Sequence, residues 1–246
     1  MFNKRKKTEQ RLQKDQIQGT SLITYMDSKS LNAEQFRTIR TNIEFAQLDK
    51  PMKNLLVSSS IPAEGKSTVA SNLAYVIAQT DKRVLIVDAD LRKPTVHRTF
   101  KLNNEQGLTT LLASSDLKFN QVVQHSRDLN LYFLPSGPIP PNPSELLGSG
   151  RMTLLMQELA QYFDVVIYDA PPITAVTDPQ ILATKVDGVV MVVRQGYSRK
   201  EEVKKAKEAL DNVNANILGY VMNGKELSYS AGYYSYYGYE NEGNEF

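Results

Sequence analysis

Ser58-Ser59-Ser60-Ile61-Pro62-Ala63-Glu64-Gly65-Lys66-Ser67-Thr68 is the stretch that decides the fold. The apolar run before it, Leu55-Leu56-Val57, reads as a short buried strand. After it, Val69, Leu73, Val76 and Ile77 are spaced for one face of a helix. Strand, loop, Gly-Lys-Ser and helix together make a phosphate-binding loop. Backbone N–H groups in such a loop point inward, and the helix N-terminus adds partial positive charge. In that setting Lys66 reaches the β- and γ-phosphates of a nucleotide, the Ser67 hydroxyl ligates Mg²⁺, and Gly65 lets the backbone come close to the phosphates. The bland alternative, a chance Gly-Lys-Ser on a surface turn, accounts for neither flank. One position departs from the consensus, because Ser60 stands where the first glycine is expected. Serine takes up φ > 0 less readily than glycine, so the loop must turn elsewhere or carry strain.

Two further stretches share one design. Arg83-Val84-Leu85-Ile86-Val87-Asp88-Ala89-Asp90-Leu91-Arg92-Lys93-Pro94 holds a buried parallel strand of four apolar residues with acids at its C-terminal edge, where ligands bind in open α/β sheets. Asp88 and Asp90, two apart on an extended chain, point the same way. Two such charges repel unless a cation lies between them, and Mg²⁺ is the expected cation. Asp164-Val165-Val166-Ile167-Tyr168-Asp169-Ala170-Pro171-Pro172 is a third acid-tipped strand. Asp169 at its end suits an acid that holds the metal's water shell, whereas Asp164 at its start is structural. Leu131–Leu134, Val189–Val193 and Ile217–Val221 read as further strands, and Lys200–Leu210 as a helix with a solvated Lys/Glu face. At least six strands alternating with helices predict an α/β fold of the phosphate-loop NTPase kind, with a mainly parallel central sheet covered on both faces.

Composition narrows the chemistry. The chain has 246 residues, enough for one large α/β domain. A net charge of +2 does not point to nucleic acid. There is no cysteine, which excludes disulfides, Fe–S clusters and thiolate zinc sites. Two histidines, His97 and His125, are too few for a His-based metal cluster. No apolar run approaches the ~18 residues of a membrane span, and no hydrophobic segment follows Lys4-Arg5-Lys6-Lys7. The expectation is therefore a cytoplasmic chain whose membrane association needs a partner.

The ends differ from the middle. Residues 1–28 form a polar arm, disordered in part or docked, whose basic cluster either solubilises the chain or touches anionic lipid. From the N-cap Ser30 a helix begins, with Phe36, Ile39, Ile43 and Ala46 on one face. Glu34, Arg37 and Arg40 form a stripe off that face, available for intrahelical pairing or for contact with another subunit. Residues 29–226 make up the main domain. Within it, five prolines between Pro135 and Ser144 form a stiff connector, after which Ser144 is expected to cap a helix starting at Glu145. Residues 227–246 form a tail in which six of the chain's 13 tyrosines, Tyr229, Tyr233, Tyr234, Tyr236, Tyr237 and Tyr239, lie within eleven residues. Interleaved Gly and Ser prevent a packed core. The cluster suits phosphoacceptors, a sticky low-complexity contact or a strand on the sheet edge. A nucleotide site upstream puts the acceptor reading first.

Taken together, the motifs resemble those of the bacterial tyrosine kinases. Gly65-Lys66-Ser67-Thr68 looks like their Walker A motif, Val87–Pro94 like Walker A′, and Ile167–Pro172 like Walker B. Pro138–Leu147, the tyrosine tail and Glu34-x-x-Arg37-x-x-Arg40 match the same family, the last as its oligomerisation motif. The likeness runs from about residue 30 onward and is closest to the two-chain capsular or exopolysaccharide type. The resemblance implies an ATP- and Mg²⁺-dependent protein-tyrosine autokinase that regulates polysaccharide synthesis and export. It implies nucleotide contacts from Ser60, Ala63, Glu64, Gly65, Lys66, Ser67, Thr68 and Arg92. Metal contacts would come from Ser67, Asp90 and Asp169, and catalysis from Lys66, Asp88, Asp90 and Asp169, with Asp88 at the family's candidate general-base position. It implies a ring of copies, a membrane-bound activator or co-polymerase that stimulates the kinase through its cytoplasmic C-terminal segment, and a cognate tyrosine phosphatase. The chain would thus sit at the inner face of the cell membrane. Two alternatives are a partitioning-type ATPase without kinase activity and a nucleotide-dependent scaffold of the polysaccharide machinery. Ile61 stands where the partitioning ATPases carry a signature lysine, which counts against the first.

Overall fold

A computed structural model describes residues 19–46 and 52–224. Seven strands form one sheet: β1 Asn54–Ser59, β2 Val84–Asp88, β3 Gln124–Ser126, β4 Leu131–Leu134, β5 Val165–Asp169, β6 Gly188–Arg194 and β7 Ile217–Asn223, in the spatial order β3-β4-β2-β5-β1-β6-β7. All neighbours are parallel except β3, which runs antiparallel to β4 at the edge. The six strands legible as apolar runs are all present. The polar β3 is an addition: it pairs Gln124, His125 and Ser126 with Phe133, Tyr132 and Leu131, and the Gln124 side chain also bonds the backbone of Asn103.

Alternation along the strands builds two cores, as a sheet covered on both faces requires. Leu55, Val57, Ile86, Ile167 and Val190 face one way. There they meet Val69, Leu73 and Ile77 of α3 (Lys66–Ala78) and Ile43 of α2 (Leu31–Phe45). Leu56, Leu85, Val87, Val166, Tyr168 and Met191 face the other way, against Met152, Met156 and Leu159 of α8 (Gly150–Tyr162) and Ala206 and Leu210 of α10 (Lys200–Asp211). The remaining helices are short: α1 Ile23–Met26, α4 Val96–Thr99, α5 Leu108–Ala113, α6 Phe119–Val122, α7 Pro143–Gly148 and α9 Asp178–Ala183.

The N-terminal arm is docked where it is described. Thr24 on α1 is buried, and its N–H and hydroxyl both donate to Asn72 Oδ1 on α3, each at 2.9 Å. Asn72 Nδ2 returns a bond to Ser21 O at 2.9 Å. Ser30 caps α2 as expected, its hydroxyl accepting from Ala33 N–H. Ser144 is a correction: it lies inside α7, which starts at Pro143 with Asn142 before it. A proline at the first helical position is already preorganised for the helix, so the start moves upstream and the serine hydroxyl is free to bond elsewhere. In the α2 stripe Glu34 and Arg37 pair with each other along the helix, which is the intrahelical alternative. Arg40 instead turns inward and donates to Val76 O of α3 at 2.9 Å. The six tail tyrosines lie outside the described residues.

Candidate active site

The phosphate loop joins β1 to α3, and a cavity of about 300 Å³ opens in front of it. Ala63, Gly65, Lys66, Ser67 and Thr68 line the cavity, with Asp90, Arg92, Lys93 and Thr95 on one side and Pro171, Pro172, Arg194 and Asn223 on another. Ser60 and Glu64, expected among the nucleotide contacts, are both fully buried and do not line it. The loop does turn without a first glycine. Its left-handed residues are Ala63, at φ 71°, and Gly65, at φ 93°, while Ser60, the residue after β1, stays outside the left-handed region. A side chain on Gly65 would collide with Asn223 Nδ2 at 2.1 Å, so close approach as well as φ requires glycine there.

Parallel register sets Asp88 of β2 directly beside Asp169 of β5. Asp90 follows two residues on at the same C-terminal edge of the sheet, close enough to Asp169 to share one lysine. A cation does lie between them, but it belongs to the chain: Lys66 Nζ is 2.9 Å from Asp90 Oδ2 and 3.4 Å from Asp169 Oδ1. Burial works against the Lys66 ammonium, yet Asp169 and Asp90 outweigh it and hold its pKa above the usual lysine value. Burial raises Asp169, with Lys66 opposing. Asp88 is raised well above the carboxylate range by burial and by the charge of Asp169.

Asp88 and Asp90 do not point the same way as their spacing suggested. Asp88 turns away from the cavity, and its Oδ2 accepts from the N–H groups of Thr95 and Val96, both at 2.9 Å, at the start of α4. Only Asp90 lines the cavity, its Oδ1 accepting from Lys93 N–H at 3.0 Å. Asp88 Oδ1 and Asp169 Oδ2 are buried with no hydrogen-bond partner. The orphaned oxygen of Asp169, whose carboxylate meets the Ser67 hydroxyl, suits a hard cation such as Mg²⁺, which takes one or two carboxylates and keeps most of its waters. Consistent with so sparse a donor set, no three His, Cys, Asp or Glu side chains converge as a metal cluster among the described residues.

Arg92 lines the cavity with its guanidinium tied back. Nε donates to Asp178 Oδ2 at 2.8 Å and Nη2 to Asp178 Oδ1 at 3.1 Å. Ser144 donates to the same Oδ1 at 2.5 Å. Asp178 is fully buried at the start of α9. Sequence reasoning missed Asp178, Arg194 and Asn223. Thr177-Asp178-Pro179 signals a helix start, though not an arginine partner. Arg194 and Asn223 end β6 and β7 and meet the loop through Ala63 O at 3.1 Å and Glu64 O at 2.8 Å, contacts that no local pattern announces.

Fold and site together define an AAA-type phosphate-loop NTPase, and residues 52–218 match the family model described as an AAA domain. The chain is 52% identical over 218 residues to the tyrosine-protein kinase YwqD of Bacillus subtilis (strain 168), covering 89% of this chain and 91% of that one. To the putative tyrosine-protein kinase CapB of Staphylococcus aureus it is 40% identical, covering 88% and 95%. Among solved structures, the chimerical protein CapA2B2 superposes with a TM-score of 0.78 at 41% identity, over 84% of this chain and 92% of that chain. The chain belongs to the bacterial tyrosine-protein kinase family. A cell division ATPase, MinD of Pyrococcus furiosus, shares the fold at 20% identity and a TM-score of 0.58 over 69% of this chain and 71% of that chain.

Proposed function

We propose that this chain is an ATP-dependent autokinase that phosphorylates the tail tyrosines (Tyr229, Tyr233, Tyr234, Tyr236, Tyr237 and Tyr239) of a neighbouring copy. The observation that carries the reading is the Lys66 ammonium, held by Asp90 and Asp169 at the floor of a cavity walled by the phosphate loop. Phosphoryl transfer needs little covalent chemistry from the protein; it needs positioning and charge stabilisation. Amides of the loop and Lys66 bind and orient the triphosphate. Ser67 and Asp90, with Asp169 behind them, would hold Mg²⁺, which neutralises charge developing on the transferred group. Asp88 keeps one oxygen anchored by two amides and the other unpartnered. Its raised pKa suits a group that takes the tyrosine proton.

Glu34, Arg37 and Arg40 support a ring that brings one tail to the next active site, and phosphorylated tails would repel and loosen it. Resemblance to the two-chain type, together with a relative solved as the chimerical CapA2B2, supports a membrane-bound activator as second chain. No described helix is long and apolar enough to cross a membrane, so the kinase would sit at the inner face of the membrane through that partner. Capsular or exopolysaccharide synthesis is the process it would regulate, with a cognate phosphatase resetting the tail. Mixing tests the trans step. A Lys66→Met chain with an intact tail is incubated with Mg-ATP and an active chain whose six tail tyrosines are Phe, and phosphosites are mapped. Phosphate on the Lys66→Met tail is expected; phosphate on neither chain would contradict transfer between copies.

A further inference from the structure

The phosphate loop contains a buried carboxylate that the mechanism above does not use. Glu64 is fully buried, carries no ion pair among the described residues and lies off the cavity. Its side chain is nevertheless saturated. Ser60 Oγ lies 2.7 Å from Oε1 and 2.9 Å from Oε2, Ile61 N–H donates to Oε2 at 2.9 Å, and the Ser198 hydroxyl donates to Oε1. Ser60 and Ile61 begin the loop, Glu64 sits just before its glycine-lysine pair, and Ser198 lies between β6 and α10. One carboxylate therefore closes the loop across its own base and fastens it to a neighbouring segment.

We infer that Glu64 is a positioning residue: a Ser60–Glu64–Ser198 clasp takes over the shaping role that the first glycine of a phosphate loop ordinarily has. A glycine there confers freedom to turn. In this chain the turn has moved to Ala63 and Gly65, and the freed position supplies a hydroxyl. Charge-assisted hydrogen bonds are the stronger kind, and burial of the Glu64 side chain shields its carboxylate from water. With its carboxylate engaged from three sides, Glu64 holds the loop open for phosphate while its charge is directed away from the cavity. Asn223 Nδ2 and Arg194 Nη1, bonded to the carbonyls of Glu64 and Ala63, steady the same residues from the cavity side.

The inference rests on the nucleotide-site reading, and it makes an unexpected prediction: restoring the consensus glycine weakens the site. The experiment titrates a fluorescent ADP analogue with Mg²⁺ into the full chain and into Ser60→Gly, Ser198→Ala and Ser198→Thr. KM for ATP and kcat are read in parallel. Loss of one donor to a charged, buried acceptor lowers the fraction of binding-competent loop, so apparent Kd rises in proportion. About tenfold weaker binding is expected for Ser60→Gly and a severalfold loss for Ser198→Ala, with KM rising and kcat at saturating ATP nearly kept. Ser198→Thr, which retains the hydroxyl, should bind like the parent. A clasp that served folding alone would lower the active fraction, and so kcat, without moving Kd. Equal or tighter binding by both Ser60→Gly and Ser198→Ala, beside a parent that binds, would overturn the clasp and leave the nucleotide site standing. A parent that binds no nucleotide would overturn the site reading and the clasp with it. Ser198→Ala lies outside the loop and keeps the test decisive if Ser60→Gly does not fold.

Discussion

Asp88 is the residue whose environment is least comfortable. It is fully buried, abuts Asp169 across the sheet and has one oxygen without a partner. Its native pKa is raised well above the ordinary value, through burial first and Asp169 next. For an acid the sign is fixed: a pKa raised by folding means that the native state binds the proton more tightly than the unfolded chain. The associated stability is present below about pH 4, the unfolded value, and is lost as pH rises through the native one. Asp88→Asn removes that loss while keeping an oxygen for the amides of Thr95 and Val96. Urea denaturation at pH 5 and pH 8 should show the variant more stable than the parent at pH 8, with a smaller gain at pH 5. Kinase activity should be lost with it, on the proposed role of Asp88 as acceptor of the tyrosine proton. A variant no more stable than the parent at pH 8 would mean that the buried charge is better compensated than its contacts show.

At the scale of elements, the chain is held by a few polar ties between helices and strand ends. Asn72 is one: it accepts both donors of Thr24 and donates to Ser21 and Thr68. Asn72→Ala would leave a buried N–H and hydroxyl unpaired, at a cost of about 1–3 kcal/mol. Limited proteolysis should then cut between residues 19 and 30 faster than in the parent. Because Thr20 lines the cavity, release of this segment should also weaken nucleotide binding. A second tie joins Arg92, Ser144 and Asp178 across the ends of β2, α7 and α9. Asp178→Ala frees the guanidinium and should destabilise the fold by about 1–2 kcal/mol, less than for a fully buried pair because the Arg92 side chain is 40% exposed. Differential scanning calorimetry reads this directly.

These ties also mark where sequence reading stops. Leu55–Val57, Val84–Val87 and Val165–Tyr168 were legible as strands because a parallel sheet covered on both faces demands uninterrupted apolar runs. Lys66 and the acids at the strand ends were legible because chain direction places them at one edge. Their mutual arrangement was not. Lys66 takes the place between Asp90 and Asp169 where a metal was expected, and Asp88 spends an oxygen capping α4. Gln124–Ser126 has no apolar period, and it is a strand only because β4 offers an edge. Asn223 and Arg194 reach the loop through the tertiary fold alone, 159 residues from Glu64 and 131 from Ala63. Ser60 looked like a defect because its compensation, Glu64 and Ser198, lies partly in another element.

For the whole molecule, α2 presents the surface on which a ring would be built. Glu34 and Arg37 pair on its exposed side, a contact worth only a few tenths of a kcal/mol within one chain. Arg40 is anchored to Val76 O and belongs in part to the fold. Substitutions should therefore separate assembly from stability. Arg37→Ala should reduce the native mass of the assembly and leave the melting temperature unchanged, whereas Arg40→Ala should lower both. Native mass spectrometry and thermal melts check the pair. An Arg37→Ala chain that assembles like the parent would remove Arg37 from the interface.

The central claim is that Lys66 serves phosphoryl transfer to tyrosine. Its most direct test is phosphotyrosine on the purified full-length chain incubated with Mg-ATP, beside Lys66→Met and a variant with all six tail tyrosines changed to Phe. The account predicts a signal in the parent, a drop of at least about 100-fold in Lys66→Met, where the ammonium that stabilises the transferring group is gone, and none in the Phe variant. ATP hydrolysis without phosphotyrosine in the parent would contradict it and leave the chain an NTPase whose tail serves another purpose.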